Sequence, residues 1–144
     1  MIYDGDVAAY TVPANPGLFA LDVATGEIIW AWKPSGDTCM GRQYCDPGIV
    51  APPTIFGDYV MANSLDGWVR LHDRQTGEIV WSIDTTQTKA GINGMEGHGG
   101  SMNGAGPIAY DGQIYIMSGY AFADHMTGNL LVVLKEAVHE NGKE

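Results

Sequence analysis

The chain has 144 residues, with 17 acidic side chains against seven basic ones and a formal net charge of −10. That length allows one domain with a real core, the charge argues against a nucleic-acid partner, and no apolar run approaches the ~20 residues of a transmembrane helix. Twenty glycines, seven prolines and four tryptophans suit a turn-rich all-β protein.

Taken in order, residues 7–10, 18–22 and 27–32 are three expected strands, short, apolar and bounded by Gly, Pro or Asn. An irregular stretch, 33–48, follows. Residues 49–54 open the next unit, with Pro52 and Pro53 suited to the start of a strand. Strands at 59–63, 68–72 and 78–83 complete it, the first two joined by the strong hairpin turn Asp66-Gly67. A second irregular stretch covers 84–104. A third unit runs through 106–110, the turn Asp111-Gly112, 114–118, a long connection at 119–128 and a last strand at 129–134. Residues 135–144 are a polar, charged tail. The opening Met1-Ile2-Tyr3-Asp4-Gly5-Asp6 lacks the basic start and apolar core of a signal peptide. The expectation is that residue 1 lies inside a unit and that the chain is the C-terminal part of a longer protein; a truncated gene or an incomplete reading frame gives the same sequence.

Ala20-Leu21-Asp22-Val23-Ala24-Thr25-Gly26-Glu27-Ile28-Ile29-Trp30 and Leu71-His72-Asp73-Arg74-Gln75-Thr76-Gly77-Glu78-Ile79-Val80-Trp81 are near copies, 51 residues apart. A unit of that length made of short strands and turns is the signature of a propeller blade. The expected fold is therefore all-β: a partial β-propeller of about two and two-thirds four-stranded antiparallel blades, with residues 1–32 a partial blade, 49–83 a full one and 105–134 a partial one. The tryptophan ending each copy projects from an outer strand, where it can lie flat against the neighbouring blade. Strand direction alternates within a blade. The short turns therefore share one face of the disc, and the connections 33–48, 84–104 and 119–128 share the other, where function is expected.

The eleven-residue pattern Ala-x-Asp-x-x-Thr-Gly-x-x-x-Trp resembles the tryptophan-docking motif of the quinoprotein dehydrogenases, whose propellers hold pyrroloquinoline quinone (PQQ). Ala20, Gly26 and Trp30 fill it in the first copy; Gly77 and Trp81 do so in the second, where Leu71 stands in place of Ala. The resemblance implies blade-docking roles for these residues and an eight-bladed parent ring.

Cys39 and Cys45 are the only cysteines. Zinc needs two further ligands and none is evident nearby, and neither a redox CxxC nor a haem CxxCH is present. The pair reads as a disulfide pinning the loop in an oxidising compartment such as the periplasm, with two free thiols in a cytosolic loop as the alternative. The four histidines show no metal spacing. His72 lies on a strand and reads as structural, His139 is in the tail, and His98 and His125 sit on the long-loop face as ligand contacts or plain surface residues.

The candidate site is the glycine-rich stretch 91–107, which feeds an innermost strand. Its glycines let backbone approach a flat ligand, and Asn, Ser and His supply hydrogen-bonding groups. It is not a phosphate loop, since no Lys-Ser/Thr follows; a flexible crossing between blades is the competing reading. The order of Cys39-Met40-Gly41-Arg42-Gln43-Tyr44-Cys45, Ser64-Leu65-Asp66-Gly67, Asn93-Gly94, Gly99-Gly100-Ser101, Gly104-Ala105-Gly106-Pro107, Ser118-Gly119-Tyr120 and Gly128-Asn129-Leu130-Leu131 is similar to the C-terminal part of the polyvinyl-alcohol dehydrogenase group. That resemblance implies oxidation of secondary alcohols, PQQ with calcium beside it, and a cytochrome c as electron acceptor. It also implies that the remaining blades of a parent propeller are partners, and that Asn93, Gly100, Ser101 and Asn103 line the cofactor or substrate cavity. No stretch matches the catalytic carboxylate or the calcium ligands of that chemistry, which are expected upstream; Asp66 is explained by its turn. The alternative function is a non-catalytic scaffold built from the same blades for protein binding.

Overall fold

The computed structural model of the chain describes residues 15–120 and 124–135. The expected strand at 7–10, His139 and nearly all of the tail lie outside the described residues. Among those described there is no helix, and the strands form small antiparallel sheets. The first pairs β1 (Leu18–Leu21) with β2 (Ile28–Trp32). The second is a four-stranded meander of β3 (Thr54–Phe56), β4 (Tyr59–Asn63), β5 (Trp68–Asp73) and β6 (Ile79–Asp84), in sequence order. A two-stranded hairpin, β7 (Lys89–Ala90) and β8 (Glu96–Gly97), interrupts the next connection. The last sheet pairs β9 (Ile108–Tyr110), β10 (Gln113–Ser118) and β11 (Leu130–Lys135) side by side. This is the architecture of a partial β-propeller.

The two inner strands of the second sheet, β4 and β5, are covered on both faces. Period-two alternation along β4 sends Val60 and Ala62 to one side, where they pack with Leu18, Trp30, Trp32 and Ile49. Met61 and, from β5, Val69 go to the other, joining Met102 and Ile116 with Ile114, Val132 and Leu134 at the edge of that cluster. Strands buried on both faces read as continuous apolar runs, which is the pattern of Tyr59-Val60-Met61-Ala62. The outward faces of the two flanking sheets keep exposed apolar side chains, Leu21 and Ile29 on one and Met117, Leu131 and Val133 on the other.

The repeated turn has one geometry in both copies. Asp22 Oδ1 accepts the amides of Ala24 (2.9 Å) and Thr25 (2.8 Å); Asp73 Oδ1 accepts those of Gln75 (2.8 Å) and Thr76 (2.9 Å). The glycine amides then close onto the aspartate carbonyls, Gly26 to Asp22 at 2.8 Å and Gly77 to Asp73 at 2.9 Å. Both glycines are left-handed, at φ 74° and 77°, a conformation that costs a residue with a Cβ. These amides hold the Asp22 and Asp73 carboxyls below their ordinary range.

Gly77 has a second reason to lack a side chain. The Trp30 indole lies on it, so that a Cβ there would sit 2.5 Å from Trp30 Cε3. Trp30 Nε1 donates to the Arg74 carbonyl at 2.9 Å, and the ring stacks on His72 with centroids 6.5 Å apart and planes 10° apart. His72, fully buried, also meets Trp32 edge-on at 5.1 Å. Its Nδ1 lies 2.9 Å from the Gly77 carbonyl, which can only accept, so Nδ1 carries the proton and Nε2 is the bare nitrogen of a neutral imidazole. Burial pushes the His72 pKa down and nearby Arg70 adds to that, against the hydrogen bond to Gly77.

Two outcomes follow. Gly77→Val forces both a strained backbone and a clash with Trp30, and lowers the urea-unfolding free energy by about 2–4 kcal/mol. For His72 the unfolded state takes a proton near pH 6.5 that the folded state refuses. Its contribution is therefore complete above pH 6.5 and is lost as pH falls toward the depressed folded value. In unfolding midpoints followed by tryptophan fluorescence, His72→Gln removes the decline that sets in as pH falls below 6.5. The two aspartates, held below their ordinary value of 3.8, contribute stability that is lost only as pH falls further into the acid range.

Candidate functional site

The loops at the long-connection end of the sheets are tied to one another. Cys39 and Cys45 form a disulfide with Cα atoms 5.7 Å apart. From inside that loop Arg42 reaches out to the Thr38 carbonyl (3.0 Å), the Asp66 carbonyl (3.3 Å) and Asp84 Oδ2 (3.2 Å). Burial pushes the Asp84 carboxyl up, but hydrogen bonds from Thr86 and Gln87 and the Arg42 charge outweigh it and hold the group below its ordinary range. The next residues continue the attachment. The Tyr44 carbonyl accepts the Met126 amide at 3.1 Å, the Gly48 carbonyl accepts the Leu65 amide at 2.8 Å, and Asp46 lies 3.6 Å from His125 Nε2. The loop after the first sheet is thereby fastened to the loops of the second and third. Met40 and Tyr44, inside it, adopt left-handed backbone at φ 51° and 60°, a strain the ring and its partners must hold.

The glycine-rich crossing is a packed element. Asn93 sits exposed at the tip of the β7–β8 hairpin, where its Oδ1 accepts the Met95 amide at 3.1 Å and Gly94 turns at φ 76°. Gly100 is buried, and a Cβ there would fall 2.4 Å from the Met126 carbonyl oxygen and 2.6 Å from that of Thr127. Ser101 is fully buried. Its hydroxyl donates to the Leu65 carbonyl and accepts the Met126 amide at 3.1 Å, while its own amide donates to Met126 at 2.9 Å. Asn103 is half-buried and has a polar partner. His98 pairs with Asn129 through its backbone: the Asn129 amide donates to the His98 carbonyl at 2.8 Å, and Asn129 Oδ1 accepts the His98 amide at 3.1 Å. At Gly99, Gly119 and Gly128 an added Cβ would meet another segment within 2.1–2.5 Å. These glycines let three backbones touch.

Several supporting contacts had no signal in the linear sequence. Thr85 Oγ1 lies 2.6 Å from Ser118 Oγ and donates to the Gly67 carbonyl at 2.7 Å, and Ser118 Oγ accepts the Gly100 amide at 3.1 Å. Arg70 pairs with Asp66 at 2.7 Å and lies between the Trp32 and Trp68 rings, 5.1 and 5.5 Å from their centroids. Asp66 also accepts the Trp68 amide at 3.0 Å, so the hairpin turn and the buried ion pair share one carboxylate. Removing one partner of such a pair strands the other charge.

Beside this network an open cleft of about 590 Å³ runs along the outward side of the third sheet, lined by Met117, Ser118, Gly119, Tyr120, Asn129 and Leu131 among others. None of Asn93, Gly100, Ser101 and Asn103 lines it. Gly100 and Ser101 lie together beneath the loops, and Asn93 stands apart at a hairpin tip. Among the described residues no three His, Cys, Asp or Glu side chains group as a metal site. Reduction of the disulfide, or Cys39→Ser with Cys45→Ser, is expected to lower stability by about 2 kcal/mol, from chain entropy for so small a ring. Denaturation with and without reductant measures it.

No family model matches the chain. Sequence comparison finds relatives that it matches over most of its own length. It is 38% identical over 110 residues to a polyvinylalcohol dehydrogenase of Sphingopyxis sp. (strain 113P3), covering 74% of this chain. A polyvinylalcohol dehydrogenase of Pseudomonas sp. matches at 32% over 109 residues, and a quinohemoprotein alcohol dehydrogenase of Pseudomonas putida at 28% over 124, covering 74% and 85% of this chain. The chain spans 17% of the length of each of these three. Among solved structures, BamB from Moraxella catarrhalis aligns with a TM-score of 0.49 and 21% identity, over 71% of this chain and 28% of that one. The chain is therefore a homologue of one segment of the polyvinylalcohol dehydrogenases and of the quinoprotein and quinohemoprotein alcohol dehydrogenases.

Proposed function

We propose that this chain is the C-terminal portion of a PQQ-dependent dehydrogenase that oxidises secondary alcohols of the polyvinyl-alcohol type in the periplasm and passes the electrons to a cytochrome c. Residues 1–32, 49–83 and 105–134 are its contribution to the blades of the parent ring. The observation that carries this reading is the 38% identity to a polyvinylalcohol dehydrogenase over 110 residues. The tying of three long connections into one rigid face supports it, because a cofactor-free scaffold with the same blades has less use for such elaboration.

When bound, PQQ supplies the acceptor for the hydride of the alcohol carbon, with calcium polarising the quinone oxygen. The carboxylate base and the calcium ligands belong, in this reading, to parts of the parent protein outside this chain. The contribution of the chain itself is positional. Asn93 and Asn103 offer amide groups from the glycine-rich crossing, and Gly100 and Ser101 hold that crossing against the Leu65 and Met126 backbones. A site whose walls are already hydrogen-bonded to one another orients a flat ligand without reorganising, which is how a scaffold contributes to the rate.

Calorimetric titration of the chain with PQQ, with and without calcium and under oxidising conditions, tests the proposal. The expected result is saturable, calcium-dependent binding that weakens about tenfold in Asn103→Ala, ~1.4 kcal/mol. Absence of binding by a chain that is folded by circular dichroism overturns the placement of a cofactor wall in this segment.

A further inference from the structure

Three buried polar atoms under the cysteine loop lack a hydrogen-bond partner among the described residues: Thr38 Oγ1, Arg42 Nε and Trp68 Nε1. Arg42 uses its two terminal nitrogens on the Thr38 carbonyl, the Asp66 carbonyl and Asp84 Oδ2, and leaves its Nε over. Trp68, at the start of β5, is partly exposed as a residue, but its Nε1 is buried.

The three side chains are held around the same two aspartates. Trp68 donates its amide to Asp66 Oδ1 at 3.0 Å and stands directly across from Asp84 in the β5–β6 ladder. Directly opposed residues send their side chains to one face of the sheet, with Cβ atoms about 5 Å apart. On that face Arg42 bonds Asp84, and Arg70 lies between the Trp68 and Trp32 rings. The face is therefore the one turned to the first sheet. Thr38 is tied to the same guanidinium through its carbonyl.

The chemistry of the three atoms selects an occupant. Buried polar groups without a partner are rare, and each calls for one. An arginine Nε–H and an indole N–H can only donate, whereas a hydroxyl can donate or accept. The occupant must then accept at least two hydrogen bonds. An anion would do so, but the charges here already cancel, Arg42 with Asp84 and Arg70 with Asp66. A further buried charge would lose its hydration with no counter-ion left to compensate it. A neutral oxygen meets no such penalty.

We propose that one internal water molecule occupies this joint, accepting from Arg42 Nε–H and Trp68 Nε1–H and donating to Thr38 Oγ1. Three hydrogen bonds are the ordinary complement of a buried water. The water fastens the start of the cysteine loop to β5, while the Tyr44 carbonyl and Asp46 fasten its end to the 124–128 segment. The inference does not depend on the cofactor reading.

Nuclear magnetic resonance of the full, ¹⁵N-labelled chain tests it through cross-relaxation from water. Trp68→Phe identifies the indole signal. In the wild type, the Trp68 and Arg42 N–H groups are both expected to show the cross-peak of a water that stays longer than the chain takes to tumble. Absence of both from the folded chain overturns the proposal. In Thr38→Val, which keeps the shape and removes the hydroxyl, both peaks are expected to persist, because the water keeps two partners. Their loss overturns the proposal, since it makes the exchanging Thr38 hydroxyl the source. Thr38→Val combined with Trp68→Phe leaves a single partner, and the Arg42 peak is expected to vanish. An undiminished Arg42 peak in that variant overturns the shared water. So does a saturable shift of both wild-type signals on adding chloride, which makes the occupant an anion.

Discussion

The contact between Trp30 and Gly77 is the constraint on which the rest of the chain depends. A short antiparallel sheet has two faces and cannot bury both by itself, so each sheet here is stable only against a neighbour. Burying a whole indole of ~150–250 Å² is worth roughly 4–6 kcal/mol before ordering is set against it, and Trp30, partly buried with one face on a bare glycine, takes a share of that. That contact requires a left-handed residue without a side chain, an aspartate to cap the turn, and a carbonyl placed to receive the indole Nε1. The motif is the list of those requirements. Its consequence is directional: the first sheet offers its tryptophan to the second, and His72 and the Arg70–Asp66 pair fill the space beneath.

The long-loop face follows a different logic. Backbone that leaves a sheet must find hydrogen-bond partners, and here much of it finds them in other loops. Ser101 is held between Leu65 and Met126, Ser118 between Gly100 and Thr85, and the cysteine loop is fastened through Arg42 and Tyr44. The glycines permit this closeness, since the backbones at Gly99, Gly119 and Gly128 leave no room for a Cβ. A face built in this way is rigid, and rigidity is what a ligand-positioning surface needs. Its chemistry in this segment is that of support: buried hydroxyls and turned amides that satisfy one another beside an open cleft.

Much of this was legible in the residues. The 51-residue echo of Asp-x-x-Thr-Gly-x-x-x-Trp identified the fold, because a glycine and an indole at fixed spacing have a local mechanical meaning that survives without coordinates. The disulfide was legible for a similar reason: two cysteines six apart, with no metal partners in sight, have few other uses. The grouping of the long connections on one end followed from strand alternation alone. The role of the aspartate in the repeated turn was visible as a recurrence, although its two amide contacts were not.

Only the tertiary structure decided which residues meet. Arg70 between two tryptophans and the Thr85–Ser118 contact join positions far apart in the chain, and no local period marks such pairs. A glycine-rich stretch is likewise ambiguous by itself, because the missing Cβ serves equally well for a close ligand, a turn or a crowded backbone. Packing decided between these at Gly99 and Gly100, where neighbouring backbone occupies the space. By itself, then, the sequence determined the repeat, its turns and its strand order, which are local consequences of sterics and alternation. The long-range pairing of polar groups, and the burial that makes each of them obligatory, came only with the stacking of one sheet on the next.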